Sequence, residues 1–272
     1  MKKRFKIFNI ILVIIFISPL LISWIPYQYF ESIIPSSFLS GDYLKSLFTS
    51  FQELSITLVT TLAFAMLISV FLGYISVLSM KVGRFFQNLF NAVQSVPAIL
   101  IALFCYAPVS GALVSTKGST SEVLSLAVFV AAATVTVLPE AVRSIAIPLI
   151  DLYNRKYSVS FRSYGFTKNR ILNVLMKTSL MKDTLKRVAA GILLKTLVLD
   201  TSFGYVIQVG LGATGTPQHI SPGALIAANR KAIIDFASSG DFNPWLFWVP
   251  AILLLAVSMA FLIILNETKG EV

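Results

Sequence analysis

The chain has 272 residues, of which 56% are hydrophobic and 12% are charged, and its mean hydropathy is +0.82. Soluble domains average roughly 45 to 50% apolar and 25% charged residues, so this composition excludes an ordinary soluble domain and predicts a membrane protein. The net charge of +10 does not require a nucleic-acid partner, because an excess of Lys and Arg in cytoplasmic loops gives the same balance.

The N-terminus is basic and is followed by a long apolar run. Four of the first six residues are basic, namely Lys2, Lys3, Arg4 and Lys6. A secretory signal has the same order of segments, but its apolar part is usually about 7 to 15 residues long and ends at a small-residue cleavage site. The run here extends over residues 7 to about 25 without such a site. We therefore expect a retained first transmembrane helix whose N-terminus is cytoplasmic.

The next apolar runs predict a second and a third span. Residues 26–53 are mixed in character and predict an external connection with a short amphipathic helix. The second span is expected over residues 54–78 and the third over residues 85–114. The third span contains Pro97, where we expect a kink or a break, because membrane helices tolerate proline when neighbours satisfy the freed backbone groups.

The fourth span is expected over residues 123–147 and contains charges near its inner end. Glu140 and Arg143 are spaced i, i+3. Residues at this spacing are neighbours on a helix surface, so the sequence predicts that these two pair with each other.

The segment of residues 148–187 is strongly basic and predicts a cytoplasmic loop. Its nine Lys and Arg residues oppose two Asp residues. A fifth span is expected over residues 188–209, a polar external segment over 210–243 and a sixth span over 244–265. This layout places 16 of the 22 Lys and Arg residues in the cytoplasm. The fold class is therefore an all-α polytopic membrane protein with about six spans and both termini cytoplasmic.

Motifs of an enzyme or a self-powered pump are missing from the sequence. It contains no GxxxxGK[ST] phosphate loop, no HExxH or CxxC metal spacing and no GxSxG nucleophile elbow. The single Cys105 rules out only an intrachain disulfide, and the single His219 cannot build a metal site alone. We therefore expect that the chain is not an enzyme and does not hydrolyse ATP itself.

The basic loop has the pattern of a helical hairpin. Apolar residues recur at near-helical spacing after its midpoint, at Ile171, Leu172, Val174, Leu175 and Leu180. Gly165 lies before them and can end one helix and begin another, because glycine adopts backbone angles that other residues avoid. On periodicity alone, a solvated hairpin and a helix against a partner or the bundle remain equal alternatives.

Residues 138–172, LPEAVRSIAIPLIDLYNRKYSVSFRSYGFTKNRIL, resemble the cytoplasmic region of the peptide and nickel class of ABC importer permeases, of the dipeptide and oligopeptide permease C type. That region carries an EAA motif with a Gly six residues after the Glu. Gly165 occupies the Gly position, and Thr178 replaces a Pro near the end of the motif. The three EAA positions are occupied, in order, by Val159, Ser160 and Phe161.

Other segments resemble the same family in the same order. They are SVPAIL at 95–100, SFGYVIQVGLG at 202–212 and PWLFWVPAILLLAVSMAFLIILNE at 244–267. The resemblance covers most of the chain from about residue 50 onward. It implies that residues 1–50 are an N-terminal helix with an external connection. Residues 51–272 then form the permease core, with the coupling loop at about 148–187.

The resemblance implies a type I importer in the bacterial inner membrane. In such an importer this chain pairs with a second, related permease, and two separate ATPase subunits bind the ATP and Mg. An extracytoplasmic substrate-binding protein delivers a small solute, with peptides as the first choice and nickel or a metal chelate as the second. The implied ATPase-coupling residues are Tyr157, Arg162, Ser163, Tyr164, Gly165, Phe166, Thr167 and Arg170. Candidates for the translocation path are Pro97, Lys195 and Asp200.

Two other classes of function remain as alternatives. A secondary transporter needs ionisable groups near the membrane midplane, for which Lys195 and Asp200 are the candidates. Five residues apart, they lie about 140° from each other around a helix, so a direct pair is not expected. An intramembrane enzyme is disfavoured because neither a Ser with a basic partner nor a paired-Asp arrangement stands out.

Overall fold

The protein is described here by a computed structural model that covers residues 2–35, 38–115, 119–210, 221–230 and 243–269. All regular secondary structure in these ranges is helical, so the all-α prediction is confirmed for them. In chain order, the helices are α1 (Lys2–Ile22), α2 (Gln28–Glu31), α3 (Gly41–Leu78), α4 (Met80–Gln94), α5 (Ala98–Ser115), α6 (Ser119–Asn154), α7 (Lys156–Ser163), α8 (Lys168–Met176), α9 (Ser179–Gly210), α10 (Pro222–Ala228) and α11 (Trp245–Lys269).

Four helices are long and apolar enough to cross a bilayer. Each has an apolar 18-residue window within a helical segment of 38, 32, 31 or 23 residues in α3, α6, α9 and α11, against the roughly 20 residues that a span needs. These segments are Gly41–Leu78, Val123–Asn154, Ser179–Val209 and Trp245–Glu267. Several helices of this kind indicate a polytopic membrane protein, as the composition predicted.

The third predicted span is broken at its proline. Its two halves, α4 and α5, meet at an angle of 86° on either side of Ser95 to Pro97, and together they are apolar enough for one broken span or a re-entrant loop. Proline lacks the N–H that a helix interior needs and pushes the preceding residue away from helical angles. The predicted break near Pro97 is confirmed.

The number of spans depends on α4, α5 and α1. Counting the bent pair once gives up to five spans among the described residues. The apolar part of α1, Ile7–Ile22, falls short of the length required of a span, and α1 packs against α11. The six predicted spans are these five together with α1, and that number remains a prediction.

The second span begins earlier than predicted. The connection expected over residues 26–53 contains the short α2 and then the first turns of α3. The Ser40 hydroxyl caps α3 by accepting a hydrogen bond from the Tyr43 N–H. Tyr43, Leu47 and Phe51 recur at helical spacing and are buried. Their packing in a cluster shared with α1 and α11 explains why this half of the connection is helical.

The loop predicted over residues 148–187 is shorter in the structure. α6 continues through Pro139 and Pro148 to Asn154, and α9 already begins at Ser179. Neighbouring helices at membrane depth can satisfy the backbone groups that a proline frees, so neither proline ends the helix. What lies between α6 and α9 is a hairpin of α7 and α8.

α9 is the central helix of the bundle. Its Ile192 packs in a cluster with α3, α6 and α8, its Leu197 in a cluster with α1, α3, α10 and α11, and its Phe203 in a cluster with α5 and α6. Lipid tails are as apolar as these side chains, so helices in a bilayer associate through close van der Waals packing. α9 therefore connects the hairpin end of the bundle to the opposite end.

The polar segment predicted over residues 210–243 contains a buried helix. Five of the seven residues of α10 are buried, and α10 packs against α9. The two backbones approach so closely that a Cβ at Gly223 would lie 1.9 Å from the carbonyl oxygen of Thr201. A Cβ at Gly204 would meet the Ser221 hydroxyl at the same distance. The described part of this segment is thus buried within the bundle, and the side of the membrane that it faces stays a prediction.

Candidate functional site

The hairpin formed by α7 and α8, residues 156–176, contains all eight residues predicted to couple to an ATPase. Its second helix is fixed to the bundle by Ile171, Leu172 and Leu175, which are at most 3% exposed and pack with α3, α6 and α9. Val174, predicted to share this apolar face, is 53% exposed and lies outside it. The base of the hairpin is therefore part of the core.

The turn of the hairpin is a Schellman motif at the end of α7. The Phe166 N–H donates to the Phe161 carbonyl at 3.2 Å, and the Gly165 N–H donates to the Arg162 carbonyl at 3.0 Å. Gly165 has φ +80°, a left-handed conformation that glycine adopts without steric cost. The Phe161 and Phe166 rings meet edge to face at 5.7 Å, which is the apolar contact that accompanies this motif. The reversal predicted at Gly165 is confirmed.

Polar contacts hold the start of α8 to the end of α3. The Tyr74 hydroxyl donates to Asn169, to its carbonyl oxygen at 3.1 Å and also to its side-chain oxygen. The Lys168 ammonium donates to the Leu78 carbonyl at 3.0 Å. Carbonyls in the last turn of a helix lack intrahelical partners and favour a nearby cation, so Lys168 caps α3.

A second group of contacts holds α7 to the end of α6. The buried Ser158 hydroxyl donates to the Leu152 carbonyl at 2.8 Å. The Arg162 guanidinium donates to the Tyr153 carbonyl at 3.2 Å and lies 4.6 Å from the centre of that tyrosine ring. The Lys168 ammonium lies 5.4 Å from the same ring centre. The hairpin is thereby fixed to both α3 and α6.

The tip of the hairpin presents aromatic side chains to its surroundings. Tyr164 is 80% exposed and therefore does not pack against the bundle. Phe166 is 37% exposed and is covered in part by the Arg170 guanidinium, 4.9 Å from the ring centre. Every one of the eight predicted residues is exposed. The sequence thus located the exposed surface of the hairpin, whose base is buried in the bundle.

The three predicted path residues do not form one site. Pro97 is exposed at the break between α4 and α5. Lys195 lies on the exposed face of α9, whereas Asp200 is 1% exposed within the bundle. Lys195 and Asp200 thus differ in their surroundings, in agreement with the 140° expected between them.

Lys195 forms an ion pair with Glu140 that the sequence did not predict. The pair joins α9 to α6, and the two side chains are 47% and 56% exposed. The predicted pairing of Glu140 with Arg143 is wrong, because Arg143 instead donates to the side-chain oxygen of Asn91 on α4 at 2.8 Å. Glu140 and Arg143 therefore each contact a side chain on a neighbouring helix and do not pair with each other on α6. We call Glu140, Lys195, Arg143 and Asn91 the charged seam.

The charged seam includes side chains on helices that are long and apolar enough to span a membrane. Glu140 lies within the candidate span Val123–Asn154, and Lys195 lies within Ser179–Val209. A lone charge at the bilayer centre costs about 2.5 to 3.5 kcal/mol on insertion scales. An acid and a base within two separate predicted spans were the signal in the sequence that could have predicted this pair.

Metal binding finds no support among the described residues. They include no group of three or more His, Cys, Asp or Glu side chains that could hold a metal ion. His219 lies outside the described residues.

No protein-family description matches this chain, and no curated protein matches it. The hairpin and the charged seam are the features of the molecule from which a function can be inferred.

Proposed function

We propose that the chain is the permease subunit of a binding-protein-dependent ABC importer for peptides in the bacterial inner membrane. It pairs with a second, related permease, and the translocation path runs between the two. Two ATPase subunits bind ATP and Mg on the cytoplasmic side, and an extracytoplasmic binding protein delivers the solute. The permease fold, this assembly and the choice of peptides rest on the segments that resemble the peptide and nickel class, including residues 95–100 and 138–172.

The observation that carries the proposal is the α7–α8 hairpin, with its buried base and exposed aromatic tip. Tyr164 and Phe166 flank a turn whose geometry is fixed by the Schellman motif. Large aromatic side chains on a rigid support are the residues that most often dominate the energy of a protein interface. The surrounding excess of Lys and Arg favours the cytoplasmic side, where an ATPase binds.

The packing of α8 supports transmission of movement from an ATPase to the spans. Ile171, Leu172 and Leu175 contact α3, α6 and α9 in one cluster. Lys168 and Asn169 also fix α8 to the end of α3. Packed interfaces shift between discrete arrangements and do not deform continuously, so a displaced hairpin moves spanning helices with it. Closure of the ATPase pair would thus move the spanning helices and change the shape of the translocation path.

The test replaces Gly165 with two residues that differ in their tolerance of a left-handed backbone. At φ +80°, a β-branched residue is strained by about 1 to 2 kcal/mol, whereas asparagine visits this region readily. A Cβ added at Gly165 would have no atom within 4 Å outside the flanking residues, so the backbone conformation is expected to decide between the two variants. In the intact transporter, Gly165→Val should insert and assemble normally but lose substrate-stimulated ATP hydrolysis and uptake together. The measurement is both rates in proteoliposomes.

The control variant is Gly165→Asn, which should keep most of both rates. Normal transport by a fully assembled Gly165→Val variant would show that the hairpin is not the coupling element. The same preparation also separates an importer from a secondary transporter. If no ATPase subunit co-elutes with the tagged permease purified from its own cells, the importer assignment is wrong.

A further inference from the structure

The charged seam is an exposed group of polar side chains from the C-terminal part of α4 and the central parts of α6 and α9. Glu140 and Lys195 pair between α6 and α9, and Arg143 reaches Asn91 on α4. Glu140 and Arg143 are three residues apart on α6, so their Cβ atoms lie about 5 to 6 Å from each other. The two pairs therefore form one continuous polar surface rather than two separate contacts.

This surface differs from the faces of the bundle that fit lipid. On α3, the exposed side chains Phe64, Leu67 and Phe71 are all apolar and are 58%, 72% and 61% exposed. Charged side chains at membrane depth almost always face a bundle interior or a water-filled cavity. We therefore expect water or another protein chain, rather than acyl chains, to cover the seam.

The balance of charge on the seam favours an anion over a cation. Lys195 and Arg143 are two cations, and Glu140 is one anion. Glu140 is paired with Lys195, which leaves the Arg143 charge in excess. Arg143 is exposed and its guanidinium has five N–H donors in a fork that matches carboxylate geometry. Its bond to the neutral Asn91 holds the guanidinium in place without neutralising it.

We propose that the charged seam lines a water-filled path and binds small solutes through an anionic group, such as a carboxylate, with Arg143 as the principal contact. Lys195 adds attraction, and Glu140 holds Lys195 in position and can accept an ammonium group of the same solute. This assignment rests on the proposed function, because a solute path presupposes a transporter. It gives that path a charge preference that neither the hairpin nor the resemblance provides.

The experiment measures how fast water-soluble thiol reagents reach the seam. In a Cys105→Ser background, a cysteine is introduced by Val198→Cys. Val198 is 57% exposed and lies one turn from Lys195 on the same face of α9. Leu67→Cys on the lipid-facing side of α3 is the matched control. Membrane vesicles that contain the intact transporter are treated with a sulfonate-bearing and a trimethylammonium-bearing methanethiosulfonate, each rate being normalised to a free thiol.

The expected result has two parts. The sulfonate reagent should modify Val198→Cys at least about tenfold faster than Leu67→Cys, because a charged reagent does not enter lipid. At Val198→Cys it should also react several-fold faster than the trimethylammonium reagent, and Arg143→Gln should abolish that preference. Arg143→Lys, which keeps the charge, should retain it.

Two results would overturn the proposal. Equal, slow modification at both positions would show that lipid or another subunit covers the seam. Rapid modification at Val198→Cys without a charge preference, or with a preference unaffected by Arg143→Gln, would show that the seam does not select anions. Neither result depends on ATP, so failure here is distinguishable from failure of the coupling test at Gly165.

Discussion

Glu140 and Lys195 show why a single charge in this molecule has to be considered together with the helix that faces it. Each lies within a helix that is long and apolar enough to span a membrane, where an unpaired charge is unfavourable. Their ion pair links α6 to α9, the helix shared by all three core clusters. The pair therefore adds a directional contact to the apolar packing between α6 and α9.

The ion pair predicts non-additive effects of substitution. Glu140→Gln and Lys195→Met should each lower the stability of the protein, because each leaves the partner charge without its counter-ion. The double variant should lose less than the sum, with an interaction energy of about 1 kcal/mol, since both side chains are half exposed. The measurement is a thermal unfolding series of the four proteins in lipid nanodiscs. Strict additivity would mean that the pair contributes nothing.

At the scale of elements, the contact between α9 and α10 depends on two glycines, which have no side chain to separate the helices. Gly204 and Gly223 allow the two backbones to touch, and the Ser221 hydroxyl caps α10 by accepting from the Ala224 N–H. Small residues at such crossings are how membrane helices approach closely. A short, buried helix is thereby fixed against the centre of the bundle.

Two glycine substitutions test this contact. Gly223→Ala should destabilise the protein by about 1 to 3 kcal/mol, because its Cβ would collide with the Thr201 backbone, which cannot move aside cheaply. Gly191→Ala, within α9, meets no atom within 4 Å and should be neutral or stabilising by up to about 1 kcal/mol. Unfolding midpoints in nanodiscs measure both. Equal midpoints for the two variants would contradict the close approach of α9 and α10.

Helix existence was more predictable from the sequence than helix ends. The length of the apolar runs located the long spans, because a bilayer requires about 20 apolar residues. Pro97 located the break, because proline lacks the N–H that a helix interior needs. The continuation of α6 beyond Pro148 and the burial of α10 depend on neighbouring helices, which a single sequence does not display. The hairpin turn was predictable, since Gly165 leaves a local signal, whereas the pairing of Glu140 with Lys195 needs the packing of two distant segments.

At the scale of the whole molecule, α3 relates the hairpin to the opposite end of the bundle. α3 has 38 residues and at 1.5 Å per residue is about 57 Å long, well beyond the roughly 30 Å hydrocarbon core. The hairpin is attached at its C-terminal end through Lys168 and Leu78. The connection that contains α2 precedes its N-terminal end. The two regions must therefore lie on opposite sides of a membrane that α3 crosses.

This geometry, together with the charge asymmetry of the loops, predicts opposite accessibility for two engineered thiols. In a Cys105→Ser background, Ser163→Cys in the hairpin should resist an impermeant thiol reagent in intact cells, whereas Ile33→Cys should react. Ile33 is 74% exposed, while Ser221, in the segment predicted to face outward, is 1% exposed and would not report its side. Both thiols should react once the cells are permeabilised. Labelling of Ser163→Cys but not Ile33→Cys in intact cells would invert the topology, and the hairpin could then not meet a cytoplasmic ATPase.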